Sequence, residues 1–367
     1  MDRRRASLTA RLLLPTAFLV AGGRQVPSVP QIRAADSAPQ VTWRLDVTLT
    51  IGSTAEGADF GRIAALQVDK AGTIYVFEQT EHQLRVFGQD GKLRRTYGRR
   101  GAGPGEFQGV IGMAVSPGGG LWIVDGVNAR YTVFDGPTPT IMRRPITLFK
   151  LPWLGGFSGN DFYDGFVHAG SDVEFLLGLR PDGAPRDTTS VRLPVVDLPR
   201  RGSMSFPLPF AASALRSIDA RGFVWVGRSD EYRVNKVTFA GDTVAVVSRE
   251  VTRGPLTSTQ QDSLERYIAT LKAQVGVNVS DAMRPRQLPV LHWFFADDEG
   301  RLWVKVFEAG RRPRLDVFDA NARYLASIDL PFEITEVVPL VRGGNFFAVV
   351  EAADGTPQII RARIRRS

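Results

Sequence analysis

One short motif recurs along this chain and restricts what it can fold into more than any other feature. A polar turn ending at Gly72, Gly120, Gly222, Gly300 or Gly344 runs each time into an aromatic-aliphatic segment. These segments are Thr73-Ile-Tyr-Val-Phe77, Leu121-Trp-Ile-Val124, Phe223-Val-Trp-Val226, Leu302-Trp-Val-Lys-Val306 and Asn345-Phe-Phe-Ala-Val-Val350. Three copies continue, after a second polar turn, into Val86-Phe-Gly88, Val133-Phe-Asp135 and Val317-Phe-Asp319. Self-similarity on a period of roughly 50 residues marks a repeat architecture, whose units bury their apolar faces only against one another.

Within each unit, period-2 patterning between Gly, Asp, Asn and Pro turns predicts strands. In the first, Ile63–Val68 is the expected innermost strand, followed by Thr73–Phe77, Leu84–Phe87 and Lys92–Tyr97. Asp90-Gly91 is a two-residue hairpin signal, because that turn needs residues tolerant of positive φ. A second unit repeats this over 111–148, and a diverged third covers 153–193. The fourth runs from 214 to 251, the fifth from 290 to 330 and the sixth from 333 to 364. The sixth supplies only three strands, whereas Val41–Thr50 is an unpaired β-rich run. Pairing first strand with last closes a ring and removes the exposed edges of an open stack. The expected fold is therefore all-β: a six-bladed β-propeller over residues 41–367, with the N-terminal strand completing the last blade.

Residues 255–274, between blades 4 and 5, interrupt the pattern as a predicted helix. Thr257 or Ser258 can cap it, and Leu264, Ile268 and Leu271 recur at i, i+4, i+7. Such a helix either covers apolar blade surface or forms a lid over the channel.

Residues 63–135 resemble two successive NHL repeats. The resemblance rests on Val68-Asp-Lys-Ala-Gly-Thr-Ile-Tyr-Val76, Leu84-Arg-Val-Phe-Gly-Gln-Asp-Gly91 and Tyr97-Gly-Arg-Arg-Gly-Ala-Gly-Pro-Gly-Glu-Phe107. It continues through Leu121-Trp-Ile-Val-Asp125 and Asn128-Ala-Arg-Tyr-Thr-Val-Phe-Asp135, and recurs more weakly at 298–319. Proteins of this kind form six-bladed propellers, in agreement with the strand count. The resemblance also implies that the motif residues are structural: glycines for turns, Asn128 for a strand connection, aromatics for packing between blades.

The N-terminus reads as a secretory signal over residues 1–23. Arg3, Arg4, Arg5 and Arg11 form a positive region, and Leu12–Ala21 is an apolar stretch too short to span a bilayer. Gly23 stands where a lipoprotein signal would carry its Cys, so an unlipidated, periplasmic or secreted product is expected, with no membrane insertion after cleavage. Residues 24–40 are Pro-, Ala- and Ser-rich and read as a disordered leader. The formal charge of +8 falls to +5 without residues 1–23 and to +3 if cleavage follows Ala35. A nucleic-acid partner is therefore not expected.

Chemistry is sparsely provided. There is no Cys, which excludes thiolate metal sites and Cys nucleophiles, and there are three His. No Gly-x-Ser-x-Gly or phosphate loop is present. The loop rim offers more: Arg99 and Arg100 in a Gly-rich loop, Trp153, Arg216 and Arg311 are candidate ligand-binding residues. Arginine with aromatics on long loops is the composition of a recognition surface. The first reading is thus a monomeric, cofactor-free, exported binding module for a protein, peptide or glycan of the cell envelope. The alternative is a metal-dependent lactonase, hydrolase or lyase, with His292, Glu333 and Glu336 holding Ca or Zn across the channel.

Overall fold

Alternating strands that bury both faces need neighbours on both sides, and the chain supplies them by closing on itself. A computed structural model describes residues 31–33, 43–52, 59–136, 138–145, 153, 155–167, 173–192, 194, 196–202, 204–309 and 312–366. The expected signal segment, 1–23, lies outside the described residues. Blade 1 comprises Ile63–Val68, Ile74–Glu78, Gln83–Phe87 and Leu93–Tyr97, from the channel outward. Blade 2 comprises Val110–Val115, Leu121–Asp125, Arg130–Phe134 and Thr140–Arg143. Blade 3 is built from Gly156–Ser158, Asp161–Val167, Val173–Leu179 and Pro185–Arg192. Blade 4 holds Ala214–Asp219, Phe223–Arg228, Arg233–Thr238 and Thr243–Ser248, and blade 5 holds Leu291–Ala296, Leu302–Val306, Arg314–Phe318 and Tyr324–Asp329.

Blade 6 is composite. Leu340–Arg342, Asn345–Glu351 and Pro357–Arg365 come from the C-terminus, and Arg44–Ile51 from the N-terminus is the outermost strand. That strand runs antiparallel to Pro357–Arg365, from Arg44 opposite Arg365 to Ile51 opposite Ile359, with one bulge between Val47 and Leu49. The chain is a six-bladed β-propeller. Within the leader, Gln31–Arg33 is not structureless. It pairs in parallel with Val246–Ser248 and adds a fifth strand to blade 4.

Each of the six junctions between blades has its own apolar core. Between blades 5 and 6, Trp43 and Leu45 from the N-terminal segment join Trp303, Phe346 and Ile360. The rings of Phe295 and Trp303 stack at 6.0 Å, and Trp43 lies 6.0 Å from Trp303. The repeated aromatics of the second strands are the residues that fill these junctions, as with fully buried Trp225 between blades 4 and 5.

The helix spans Ser258–Val275. Thr257 Oγ1 accepts from the Gln260 N–H and Gln260 Oε1 accepts from the Thr257 N–H, forming a capping box. Gly276, at φ 72°, ends it in the left-handed conformation. Leu264, Ile268 and Leu271 pack on Leu208, Leu256 and Val277, a cluster separate from the junction cores. No helix residue lines the central channel. The helix thus covers the connection between blades 3 and 4, not the channel mouth.

Because Arg44–Ile51 closes the ring, two truncations should behave differently. Deleting residues 1–40 should leave the melting temperature nearly unchanged, whereas deleting through Gly52 should give aggregated or unfolded protein, read by circular dichroism and light scattering.

Candidate functional site

The two faces of the ring are built differently. On one face, tight turns join first to second and third to fourth strands, many closed by a glycine at positive φ: Gly72 (81°), Gly91 (77°), Gly183 (80°), Gly222 (91°) and Gly300 (74°). The opposite, loop face carries the described connections into the innermost strands, among them 98–109 and 249–290. The last contains the helix. Loops held on a rigid scaffold are where binding functions concentrate.

The channel between the innermost strands has a volume of about 1290 Å³. Its wall is mostly aliphatic and aromatic, with Ile63, Leu66, Ile111, Met113, Phe157, Ile218 and Phe294 among its lining residues. Two of its polar side chains join neighbouring blades. Gln67 Nε2 donates to the Met113 carbonyl at 3.0 Å, and Ser217 Oγ accepts from the Ala296 N–H at 3.0 Å.

At the loop-face mouth, between blades 5 and 6, the structure gathers a polar cluster. His292 Nε2 lies 3.4 Å from Glu336 Oε2, and Glu336 itself lines the channel. Beside it, Lys305 is only 3% exposed; its ammonium donates to the Ile334 carbonyl at 3.3 Å. The ammonium also sits 5.5 Å from the Phe307 ring and 5.6 Å from the Trp293 ring. Burial pushes the Lys305 amine down, partly offset by the charges of Glu333 and Glu336. The hydrogen bond from His292 holds the Glu336 carboxyl below its ordinary value. Sequence reasoning picked out His292, Glu333 and Glu336 but missed Lys305. The signal was a lysine in the middle of the aromatic-aliphatic run 302–306, where the other copies carry apolar residues. Glu333 and Glu336 lie on the approach to blade 6, not on its innermost strand. Among the described residues, no three His, Asp or Glu side chains are arranged to hold a metal ion. The three proposed ligands therefore do not form a cation cage.

Trp153 is not on the rim. It is 9% exposed, and its indole lies so flat on Gly112 that a Cβ there would come within 1.8 Å of the ring. Trp153 Nε1 donates to Asp164 Oδ1 at 2.8 Å. The same carboxylate accepts from the Tyr131 hydroxyl at 2.7 Å, from Arg144 Nε at 2.6 Å and from Arg144 Nη2 at 3.0 Å. Arg144 and Asp164 are both fully buried, and this network fastens blade 2 to blade 3. Arg216, too, is 2% exposed, inside blade 4, while its neighbours Ser217 and Ile218 reach the channel. For Trp153 the cause is the buried Asp164 carboxylate, an acceptor that keeps the indole N–H in the interior.

Arg99 and Arg100 remain exposed on the loop face. Arg99 Nε donates to Glu106 Oε1 at 2.8 Å with its side chain 80% exposed, a pairing too solvated to hold it rigidly. Their loop is braced from below. Arg130 donates to the carbonyls of Ala102 and Gly103, at 2.8 and 3.0 Å, and Asn128 Nδ2 to that of Gly101 at 3.0 Å. Arg201, by contrast, donates to the Val275 carbonyl at the helix C-terminus. Arg311 lies outside the described residues.

Two substitutions test these assignments. Asp164→Ala removes the carboxylate that pairs with buried Arg144, and should cost about 3–5 kcal/mol in chemical denaturation. Folded Lys305 holds its proton less well than unfolded Lys305, so stability should rise as pH climbs from its lowered value toward 10.5. Lys305→Met should flatten that alkaline rise, and melting at pH 7 should be unchanged or higher.

Residues 45–131 match the model of the family DUF5128, a 6-bladed beta-propeller. No curated protein matches the sequence. Among solved structures, a Bacteroides fragilis protein described as exported is 11% identical, covers 90% of this chain and 100% of its own, and superposes with a TM-score of 0.50. A Bacteroides vulgatus member of the DUF4221 family is 10% identical, with coverages of 90% and 100% and a TM-score of 0.49. Virginiamycin B lyase from Staphylococcus aureus is 12% identical, with coverages of 88% and 99% and a TM-score of 0.42. At such identities the likeness concerns the fold alone.

Proposed function

We propose that this protein is an exported, NHL-like propeller that binds a protein, peptide or glycan of the cell envelope through its loop face. The observation that carries the reading is the division of labour between the faces. Turns on one side are reduced to glycine-closed hairpins, while the other side carries the long connections, the exposed Arg99 and Arg100, and the mouth cluster of His292, Lys305 and Glu336. Arginine forks around carboxylates, and the braced 98–109 loop presents two of them with little further ordering needed. The signal-like N-terminus supports a partner in the periplasm or outside the cell, and the small basic excess of the processed chain fits a ligand that is not a nucleic acid. Work proceeds as a monomer without a bound cofactor.

Immobilised mature protein should retain a partner from envelope extract, and Arg99→Glu with Arg100→Glu should lower that retention about tenfold while melting stays constant. Retention of nothing, together with turnover of a lactone or ester by the pure protein, would overturn the reading in favour of channel chemistry.

A further inference from the structure

A basic surface lies on the closing seam of blade 6, away from the channel. Alternate residues of a strand share one face, so Arg361, Arg363 and Arg365 of Pro357–Arg365 stand in a row at intervals of roughly 7 Å. The seam adds a fourth guanidinium at the end of the row, because Arg44 pairs directly with Arg365. Like charges directly opposite one another on a sheet destabilise it. The acids nearby are too few to cancel them. Asp46 stands opposite Arg363 in the register, yet it accepts from Arg365 Nε at 2.9 Å instead. Glu299 lies 4.0 Å from Arg366, which is exposed. Arg361 donates to Thr48 Oγ1 at 3.2 Å and to the Gln89 carbonyl at 2.8 Å, which brings the 88–92 turn and exposed Lys92 alongside. In that turn Asp90 already pairs with Arg94 at 2.8 Å. Arg44 and Arg363 are exposed and have no acidic partner among the described residues.

We propose that this row binds an acidic polysaccharide, an unbranched chain with carboxylates recurring along it. A guanidinium takes a carboxylate bidentately, and the paired strands hold the row in order before any ligand arrives. A ligand carboxylate between Arg44 and Arg365 also relieves the repulsion that the register imposes on them. A single row suits a linear polymer better than a planar lipid surface. Surface-lying membrane segments set apolar side chains beside basic ones, whereas the exposed apolar neighbour here, Val47, pairs with Ala362 on the opposite face. The choice of a glycan over a nucleic acid rests on the export proposed above; the binding itself is independent of the loop face.

The test titrates fluorescein-labelled polygalacturonate into the protein beginning at Arg24, at low ionic strength, and reads anisotropy. Binding should weaken steeply as salt is added. Arg44→Gln with Arg363→Gln should raise Kd about tenfold and flatten that salt dependence. Melting should be unchanged or higher, since neither side chain loses an acidic partner. Arg99→Glu with Arg100→Glu should leave this binding unchanged, which separates a failure here from a failure of the loop-face reading. No binding of polygalacturonate, equal affinity in the Arg44/Arg363 variant, or loss of binding in the Arg99/Arg100 variant each overturns the proposal. Affinity for oligo-dT or for phosphatidylglycerol vesicles that equals or exceeds the affinity for polygalacturonate also overturns it, because the surface would then recognise another polyanion or charge alone.

Discussion

Everything in this structure depends on the pairing of Arg44–Ile51 with Pro357–Arg365. A propeller blade cannot bury both faces alone, so each of the six junction cores exists only if the ring is complete. The pairing makes the two ends of the chain neighbours and converts a stack with two open edges into a ring with none at its seam. Trp43 and Leu45 extend the same closure into the apolar core beside Trp303. The seam is therefore both a backbone ladder and a hydrophobic contact, and its two parts fail together.

Buried charge supplies a second level of organisation. Asp164 gathers Arg144, Tyr131 and Trp153 between blades 2 and 3, and Asp316 gathers Tyr232, Arg249 and Arg314 between blades 4 and 5. Burial pushes the Tyr131 and Tyr232 phenols up and keeps them as donors at any ordinary pH. Such networks add little net stability over an apolar filling. Their geometry is demanding, however, and each links side chains of two neighbouring blades.

These two constraints free the loop face for other uses. With the ring held at its seam and its junctions, the connections at 98–109 and 249–290 tolerate length and diversity without threatening the fold. The helix illustrates this. Its cap, its C-terminal glycine and its own apolar cluster make it an accessory unit on the connection between blades 3 and 4.

The sequence by itself determined the propeller, the closing strand and the helix, because each depends on periodicity or on local turn and capping chemistry. Gly91 and Thr257 carry those signals within a few residues of the structure they specify. The composition likewise excluded cysteine chemistry. Burial of individual polar side chains was decided only by the tertiary structure. Trp153 and Arg216 look like surface ligands in a linear reading, yet the first is held by Asp164 across a junction and the second is enclosed within blade 4. The approach of Lys305 to Ile334, of His292 to Glu336, and of residues 31–33 to the edge of blade 4 likewise joins positions separated in the chain. Periodicity specifies which face of a strand is buried; only the closed ring specifies what meets it there.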